Sequence, residues 1–215
     1  DMAAATQFAR PETDPEGCDG FKSNRFKPQM CSSCGHRWNE HNSVTDEEAA
    51  EIIIAENDGA AQQVVDGIWI GGFKSAMNEK FLKEHNIQAV LTAAKGLGDF
   101  FPLFGKKMTE LFHSPESKFE DQDQLELELV DAGNQDLSTA IPLAMEFIAA
   151  RRSEGKGVLV HCAQGKSRSA SMVIAWLMKT QKVTADQALQ AVKAKRPMAE
   201  PNPGFMEQLR ALEFN

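Results

Sequence analysis

The feature that most constrains this chain is "VLVHCAQGKSRSASMVIAWLMK", residues 158–179, which runs from one apolar segment through a polar loop into another. The first segment ends at His161 and Cys162 and has the length and composition of a buried strand. The residues after Arg168 have helical spacing. Such a loop lies at the carboxyl end of a sheet strand and at a helix N-terminus, which is where anions bind.

The loop combines phosphate-binding groups with a nucleophile. Its backbone N–H groups can converge on an anion, Gly165 permits a backbone angle that a side chain forbids, and Arg168 can bind two anion oxygens. The same N–H groups, the helix end and the nearby cation favour a thiolate at Cys162 and lower its pKa. We therefore predict in-line attack of the sulfur on phosphorus and hydrolysis of the resulting thiophosphoryl-enzyme. A buried, inert cysteine is the alternative. The predicted phosphate-binding residues are Ala163, Gln164, Gly165, Lys166, Ser167 and Arg168.

Alternating strand and helix patterns from about Ala61 onward predict an α/β domain. Strands are predicted in "VVDGIWIGG", "QAVLTAA", "LELELV" and "GVLVHC". Helices are predicted in "NEKFLKEHN", in "STAIPLAMEFIAARR" with Pro142 in its first turn, in 169–179, and in "TADQALQAVKAKRP". In the last of these, Thr184 and Gln187 form a capping box and Pro197 ends the helix. The latter two helices are predicted to close the chain.

The loop matches the signature His-Cys-x-x-Gly-x-x-Arg-Ser, and the chain resembles the dual-specificity phosphatases of the cysteine-dependent protein tyrosine phosphatase superfamily. "VDGIWIGG" is similar to the opening strand of the family and "RPMAEPNPGFMEQL" to its closing segment, so the resemblance covers 61–215. It implies a central, mostly parallel sheet flanked by helices and a catalytic domain that needs no cofactor. It also implies hydrolysis of phosphotyrosine, phosphoserine and phosphothreonine esters.

The resemblance also assigns roles to individual residues. Cys162 is the nucleophile, Arg168 binds the phosphate, Ser169 helps the thiolate leave, and His161 tunes the pKa of its neighbour. A general acid is expected about thirty residues before the cysteine, where Asp131 and Asp136 are found. Asp131 is preferred because it directly follows a predicted strand, whereas Asp136 has the position of a turn or helix-capping residue.

Two questions about the substrate stay open at this stage. A lysine at position 166 can bind an additional phosphate, as in phosphoinositide-directed relatives, or lie solvated at the loop rim, which we favour because the loop has no second cation before Gly165. The alternatives to a protein phosphatase are a phosphatase of phosphoinositides or phosphoglycans and a phosphate-binding scaffold that lacks catalysis.

Three segments are predicted ahead of the catalytic domain. Residues 1–16 are predicted to form a flexible tail, and residues 17–44 a small zinc module. Residues 45–60 are predicted to form a connector with a short helix capped by Thr45 and Glu48. The expected zinc ligands are Cys18, Cys31, Cys34 and His41. His36 is an alternative to Cys18, and a reduced thiol pair or a disulfide is the alternative to zinc. The metal would be structural, and the module would recruit a protein partner.

Composition limits the remaining function classes. The net charge of −8 disfavours a nucleic-acid partner, and no apolar run approaches the roughly 20 residues that span a bilayer. The N-terminus has no basic region followed by an apolar segment, which favours a reducing compartment, the cytoplasm or the nucleus. The expected partner of the active site is a phosphorylated protein.

Overall fold

The computed structural model describes residues 61–95, 97 and 121–214, together with Pro15, Cys18, Lys22, Cys31, Cys34, His36, His41, Thr45 and Glu48. The chain divides into two compact units, 1–58 and 59–215. Most of the predicted tail, module and connector lies outside the described residues, as do 96 and 98–120. In the connector, Thr45 and Glu48 exchange the two reciprocal hydrogen bonds of a capping box. None of the described helices is long and apolar enough to cross a membrane.

The second unit contains a five-stranded sheet with the order β1-β2-β5-β3-β4. Strands β2, β5, β3 and β4 are parallel, and β1 pairs antiparallel with β2. The expectation of a mostly parallel sheet flanked by helices is therefore confirmed. The strands are β1 Gln62–Val65, β2 Ile68–Gly72, β3 Ile87–Ala93, β4 Gln124–Leu127 and β5 Gly157–Cys162.

Side-chain alternation along the strands gives the sheet two apolar faces. In β5, Val158 and Val160 contribute to the larger core, whereas Leu159 between them belongs to a smaller core on the opposite face. All six residues of β5 are buried, as expected for the central strand of a sheet covered on both sides. This strand therefore has a fixed position, and so does the loop that continues from it.

Helices cover both faces of the sheet. The helix α4 follows the loop after β5 directly and is amphipathic, with nine buried residues. The helix α5 begins at the predicted capping box of Thr184 and Gln187 and ends at Lys195, two residues before Pro197. The described helices are α1 Phe73–Met77, α2 Glu79–Glu84, α3 Ala140–Ser153, α4 Arg168–Gln181, α5 Ala185–Lys195 and α6 Pro203–Ala211.

The structure corrects the predicted elements at four places. The strand predicted in "LELELV" is β4, which ends at Leu127, so residues 128–130 lie between this strand and Asp131. The stretch "VVDGIWIGG" is a hairpin of β1 and β2 and not one strand, because Gly67 adopts a positive φ of 66° and the chain turns there. The helix α1 was missed because its five residues are too few to show helical periodicity in the sequence. The prediction that α4 and α5 close the chain is wrong, since α6 follows them with Asn202 as its N-cap.

Candidate active site

The loop 163–167 extends from the carboxyl end of β5, between the ends of two other parallel strands. Cys162 pairs with Gly72 of β2, and His161 pairs with Thr92 of β3. Because β2, β5 and β3 run parallel, their carboxyl ends meet at one edge of the sheet. The helix α4 begins at Arg168 on this edge, so the loop lies between a strand end and a helix N-terminus, as predicted from the sequence.

Four consecutive carbonyl groups of the loop accept hydrogen bonds from its surroundings. The Ala163 carbonyl accepts from the Phe73 N–H at 3.2 Å, and the Lys166 carbonyl accepts from the Glu200 N–H at 2.7 Å. The two carbonyls between them, of Gln164 and Gly165, accept from the Arg196 guanidinium. A trans peptide directs its N–H away from its C=O, so these contacts turn the N–H groups of the loop toward its interior.

The sulfur of Cys162 lies at the base of the loop. It accepts a hydrogen bond from the Gly165 N–H at 3.2 Å and lies 3.3 Å from Ser169 Oγ. Burial by itself raises the pKa of the Cys162 thiol, but the Ser169 hydroxyl, the N–H groups of Ser169 and Lys166 and the Arg168 cation together lower it below the ordinary value. The site therefore favours a thiolate in a buried position, which is the nucleophilic form of cysteine.

Arg168 is held in place at the loop, and one of its side-chain N–H groups makes no hydrogen bond to the described residues. Its side chain is only 14% exposed, and Nη1 donates to the Leu129 carbonyl at 3.2 Å. Nε is buried and has no hydrogen-bond partner among the described residues. A buried guanidinium donor beside a ring of inward N–H groups suits a phosphate oxygen.

Asp131 is brought to the same loop from the end of the segment after β4. Its carboxylate accepts hydrogen bonds from Ser167 Oγ at 2.7 Å and from Asn202 Nδ2 at 2.9 Å, and it lies 3.9 Å from Arg168 Nε. Asn202 also donates its backbone N–H to Ser167 Oγ at 3.1 Å. A carboxyl group is thereby held against the loop that follows Cys162.

Asp136, the other candidate acid, has a different environment. Its carboxylate accepts hydrogen bonds from the backbone N–H and the hydroxyl of Ser138 at 2.8 and 2.7 Å, in the turn before α3. The hydroxyl bond and then the N–H bond lower the pKa of Asp136. This is the geometry of a turn residue that remains ionised.

The side chains of His161 and Lys166 contact partners other than the Cys162 sulfur. His161 is fully buried, and its Nε2 lies 2.8 Å from Thr92 Oγ1. Burial, with a smaller contribution from Arg168, lowers the pKa of His161 to about 4, so the ring is neutral at pH 7. Lys166 is partly exposed, and its Nζ lies 2.6 Å from a Glu200 carboxylate oxygen. Its charge is thereby paired at the loop rim.

No sequence pattern indicates that Arg196 and Asn202 contact the loop. Arg196 precedes Pro197, which was interpreted only as a helix stop, and Asn202 is part of the "PNPGF" segment, to which no role was assigned. The motif drew attention to the segment, but only the fold brings both side chains to the loop.

The first unit contains a separate group of candidate metal ligands, Cys18, Cys31, Cys34 and His41, whose ligand atoms all lie within 4.8 Å of one another. The Cys18 and Cys31 sulfurs are 3.7 Å apart, and Cys34 Sγ is 3.5 Å from His41 Nε2. Tetrahedral coordination with metal–sulfur bonds of about 2.3 Å gives sulfur–sulfur edges of about 3.8 Å and slightly shorter sulfur–nitrogen edges. This group could hold a metal. His36 contacts it through its backbone, whose carbonyl accepts from the Cys31 N–H at 2.6 Å.

Comparison with known proteins gives consistent matches to one family. Residues 68–215 match the family model described as "Dual specificity phosphatase, catalytic domain". Dual specificity protein phosphatase 1 of Arabidopsis thaliana is 34% identical over 157 residues, which are 73% of this chain and 71% of that protein. Dual specificity protein phosphatase 1B of the same plant is 33% identical over 166 residues, or 77% of this chain and 89% of that protein. The solved structure of the human tyrosine phosphatase-like serine/threonine/tyrosine-interacting protein superposes with a TM-score of 0.60 at 27% identity, covering 70% of this chain and 93% of its own.

Proposed function

Because this chain belongs to the dual-specificity phosphatase family, we propose that it hydrolyses phosphotyrosine and phosphoserine or phosphothreonine esters of proteins through a cysteinyl-phosphate intermediate on Cys162. The chain is a protein phosphatase, and its catalysis needs no cofactor. One observation carries the residue assignments. The Gly165 N–H and Ser169 Oγ contact the Cys162 sulfur, while Asp131 contacts Ser167 of the same loop.

In the first step, the Cys162 thiolate attacks phosphorus. The inward N–H groups of the loop and the guanidinium of Arg168 bind the non-bridging phosphate oxygens and stabilise the charge that they carry in the transition state. A sulfur–phosphorus bond forms as the bond between phosphorus and the substrate oxygen breaks. The protonated carboxyl of Asp131 donates its proton to this oxygen, because an alkoxide is a poor leaving group.

In the second step, water hydrolyses the cysteinyl phosphate. The Asp131 carboxylate accepts a proton from the attacking water, and the sulfur–phosphorus bond breaks with its electron pair returning to Cys162. The Ser169 hydroxyl, 3.3 Å from the sulfur, donates a hydrogen bond to the departing thiolate. His161, which directly precedes Cys162, remains a neutral, buried ring throughout.

The pairing of Lys166 supports a protein substrate over a polyphosphorylated lipid or glycan. A lysine that bound a second phosphate would need its charge available, whereas Lys166 Nζ is ion-paired with Glu200 at 2.6 Å. The family relationship favours a protein substrate as well.

We also propose that Cys18, Cys31, Cys34 and His41 bind one structural zinc ion. The donor set of three thiolates and one imidazole is typical of structural zinc, and the separations of the ligand atoms suit a tetrahedron. Bound zinc would add folding free energy to a segment that is too short to bury a core of its own. We propose that the stabilised module binds a protein partner.

The test of the catalytic proposal is Cys162→Ser, measured with a small aryl phosphate and with phosphopeptides carrying tyrosine or threonine phosphate. The hydroxyl cannot supply a thiolate, so we expect turnover to fall by at least about a thousandfold. Binding of the phosphopeptides should persist, because the loop N–H groups and Arg168 are unchanged. Near-normal turnover in Cys162→Ser would refute the mechanism.

A further inference from the structure

Arg196 is a buried cation that contacts the outside of the nucleophile loop. It follows α5 directly and is 6% exposed. Its Nη2 donates to the Gln164 carbonyl at 2.8 Å, its Nε donates to the Gly165 carbonyl at 2.5 Å, and its Nη1 donates to the Gln62 side-chain oxygen. One guanidinium thus joins two consecutive loop peptides to strand β1.

The two peptides that Arg196 binds are among those whose N–H groups act on the Cys162 sulfur. The Gln164 carbonyl belongs to the same planar peptide as the Gly165 N–H, which donates to the Cys162 sulfur at 3.2 Å. The Gly165 carbonyl likewise shares a peptide with the Lys166 N–H, which is among the groups that lower the Cys162 pKa. Arg196 therefore binds one end of each peptide while the other end is directed toward the sulfur.

From this arrangement we propose that Arg196 is a positioning residue for the nucleophile: it holds the 164–165 and 165–166 peptides so that their N–H groups stabilise the Cys162 thiolate. The inference rests on the proposed role of Cys162. Arg196 acts from behind the loop, whereas Arg168 contacts Leu129 and lies near Asp131.

The charge of Arg196 contributes beyond its geometry. A cation bonded to a carbonyl oxygen polarises the peptide and strengthens the N–H group at its other end, most effectively in a buried environment. Burial lowers the pKa of Arg196, and the nearby Cys162 thiolate raises it, so each charge favours the other. A neutral side chain at position 196 loses both the polarisation and this mutual stabilisation.

The glycine at 165 allows the close approach of Arg196. Gly165 has a φ of 67°, and a Cβ atom there would lie 2.5 Å from Arg196 Nη2 and 2.3 Å from the Gly71 carbonyl oxygen. A side chain at this position would separate the loop both from the arginine and from strand β2. The glycine of the signature therefore serves the contact with Arg196 as well as the turn itself.

The test measures the reactivity of the Cys162 thiol directly. Iodoacetamide alkylates Cys162 at a series of pH values, and mass spectrometry of the peptide that contains Cys162 gives the rate at each pH. In Arg196→Met we expect the pH midpoint of the alkylation rate to rise by about one unit, because the N–H groups that stabilise the thiolate are no longer held in place. Arg196→Lys should give a smaller rise, because an ammonium keeps the charge but not the fork that binds two carbonyls.

Arg151→Met is the matched control. Arg151 is also a largely buried arginine, but it binds Asp123 and the Gln122 carbonyl, away from the loop contacts described above. Both Met variants should lose thermal stability, but Arg151→Met should keep the wild-type alkylation midpoint. A purely structural role for Arg196 predicts the same midpoint in both.

The proposal is overturned if folded Arg196→Met keeps the alkylation midpoint of the wild-type protein. It is also overturned if Arg151→Met raises the midpoint by the same amount as Arg196→Met. If Arg196→Met does not fold, Arg196→Lys decides in the same way: a raised midpoint supports the proposal and an unchanged one overturns it. Alkylation requires no phosphate hydrolysis. A wild-type protein with a low midpoint but no turnover would therefore refute the proposed function and leave the role of Arg196 intact.

Discussion

The Asp131 carboxylate accepts a hydrogen bond from the Ser167 hydroxyl at 2.7 Å, which joins the proposed general acid to the loop of the nucleophile. Asn202 completes this contact, since its amide donates to Asp131 and its backbone N–H donates to the Ser167 hydroxyl. Two segments that are distant from Asp131 in the sequence thus hold the acid in place. Preorganisation of this kind reduces the rearrangement that the chemical step requires.

Asp131→Asn should slow hydrolysis mainly for substrates with poor leaving groups. Loss of general acid catalysis should lower kcat about a hundredfold for a phosphothreonine peptide, and much less for para-nitrophenyl phosphate, whose leaving group needs little protonation. Steady-state kinetics on the two substrates measures this difference. Asp136→Asn is the control and should leave both rates near normal. If Asp136→Asn shows the selective loss instead, the assignment of the acid is wrong.

Asn202→Ser should lower activity through the position of Asp131. Serine can still cap α6, where the Asn202 oxygen accepts from the Phe205 N–H at 3.0 Å, but it removes the amide that donates to Asp131. We expect a loss of about tenfold for the phosphothreonine peptide, with little change in melting temperature. The effect should largely vanish in the Asp131→Asn background, because coupled residues are not additive. If the two losses are fully additive in this double-mutant cycle, Asn202 does not act through Asp131.

Glu200→Gln should increase the preference for substrates that carry a second phosphate. The substitution releases Lys166 from its ion pair and leaves the bond between the Glu200 N–H and the Lys166 carbonyl in place. One exposed charge contributes up to about 1 kcal/mol, so kcat/KM for a doubly phosphorylated peptide should rise roughly fivefold relative to the singly phosphorylated one. Adding Lys166→Met should reverse the gain. An unchanged ratio would mean that Lys166 does not reach the substrate.

Acidification should destabilise the fold in part through His161. The folded-state pKa of about 4 lies below the ordinary value of 6.5, so the unfolded chain binds more protons between these limits. Stability from the neutral ring is therefore fully present above pH 6.5 and is lost as pH falls toward 4, by up to about 1.4 kcal/mol per pH unit. Urea denaturation of wild type and His161→Gln at several pH values tests this, and equal pH dependence in both would contradict it.

Zinc should be dispensable for chemistry. We expect about one zinc per chain by elemental analysis, and loss of the metal in Cys18→Ser but not in His36→Ala, because the His36 ring is outside the ligand group. A shortened protein of residues 59–215, one of the two compact units, should lose the metal and retain hydrolysis of a small aryl phosphate. Absence of zinc from the full chain, or an inactive but folded 59–215 protein, would disprove this.

The sequence predicted most of the regular structure where local signals were strong. The strand β5 has its predicted bounds, and the capping box of Thr184 and Gln187 marks the start of α5 as expected. Prediction failed where an element was very short or opened with turn-like residues. The helix α1 has only five residues, too few to show helical periodicity, and α6 opens with Pro203 and Gly204, which are also typical of a turn.

The sequence by itself determined the nucleophile loop, because Cys162, Gly165, Arg168 and Ser169 lie close enough along the chain for their spacing to imply one anion-binding turn. The tertiary structure alone decided what holds that loop. Arg196 contacts Gly165 from 31 positions away and Gln62 from 134, and Asn202 reaches Asp131 across 71. No local pattern specifies such contacts, since they depend on the order of parallel strands, which brings distant segments to one edge of the sheet.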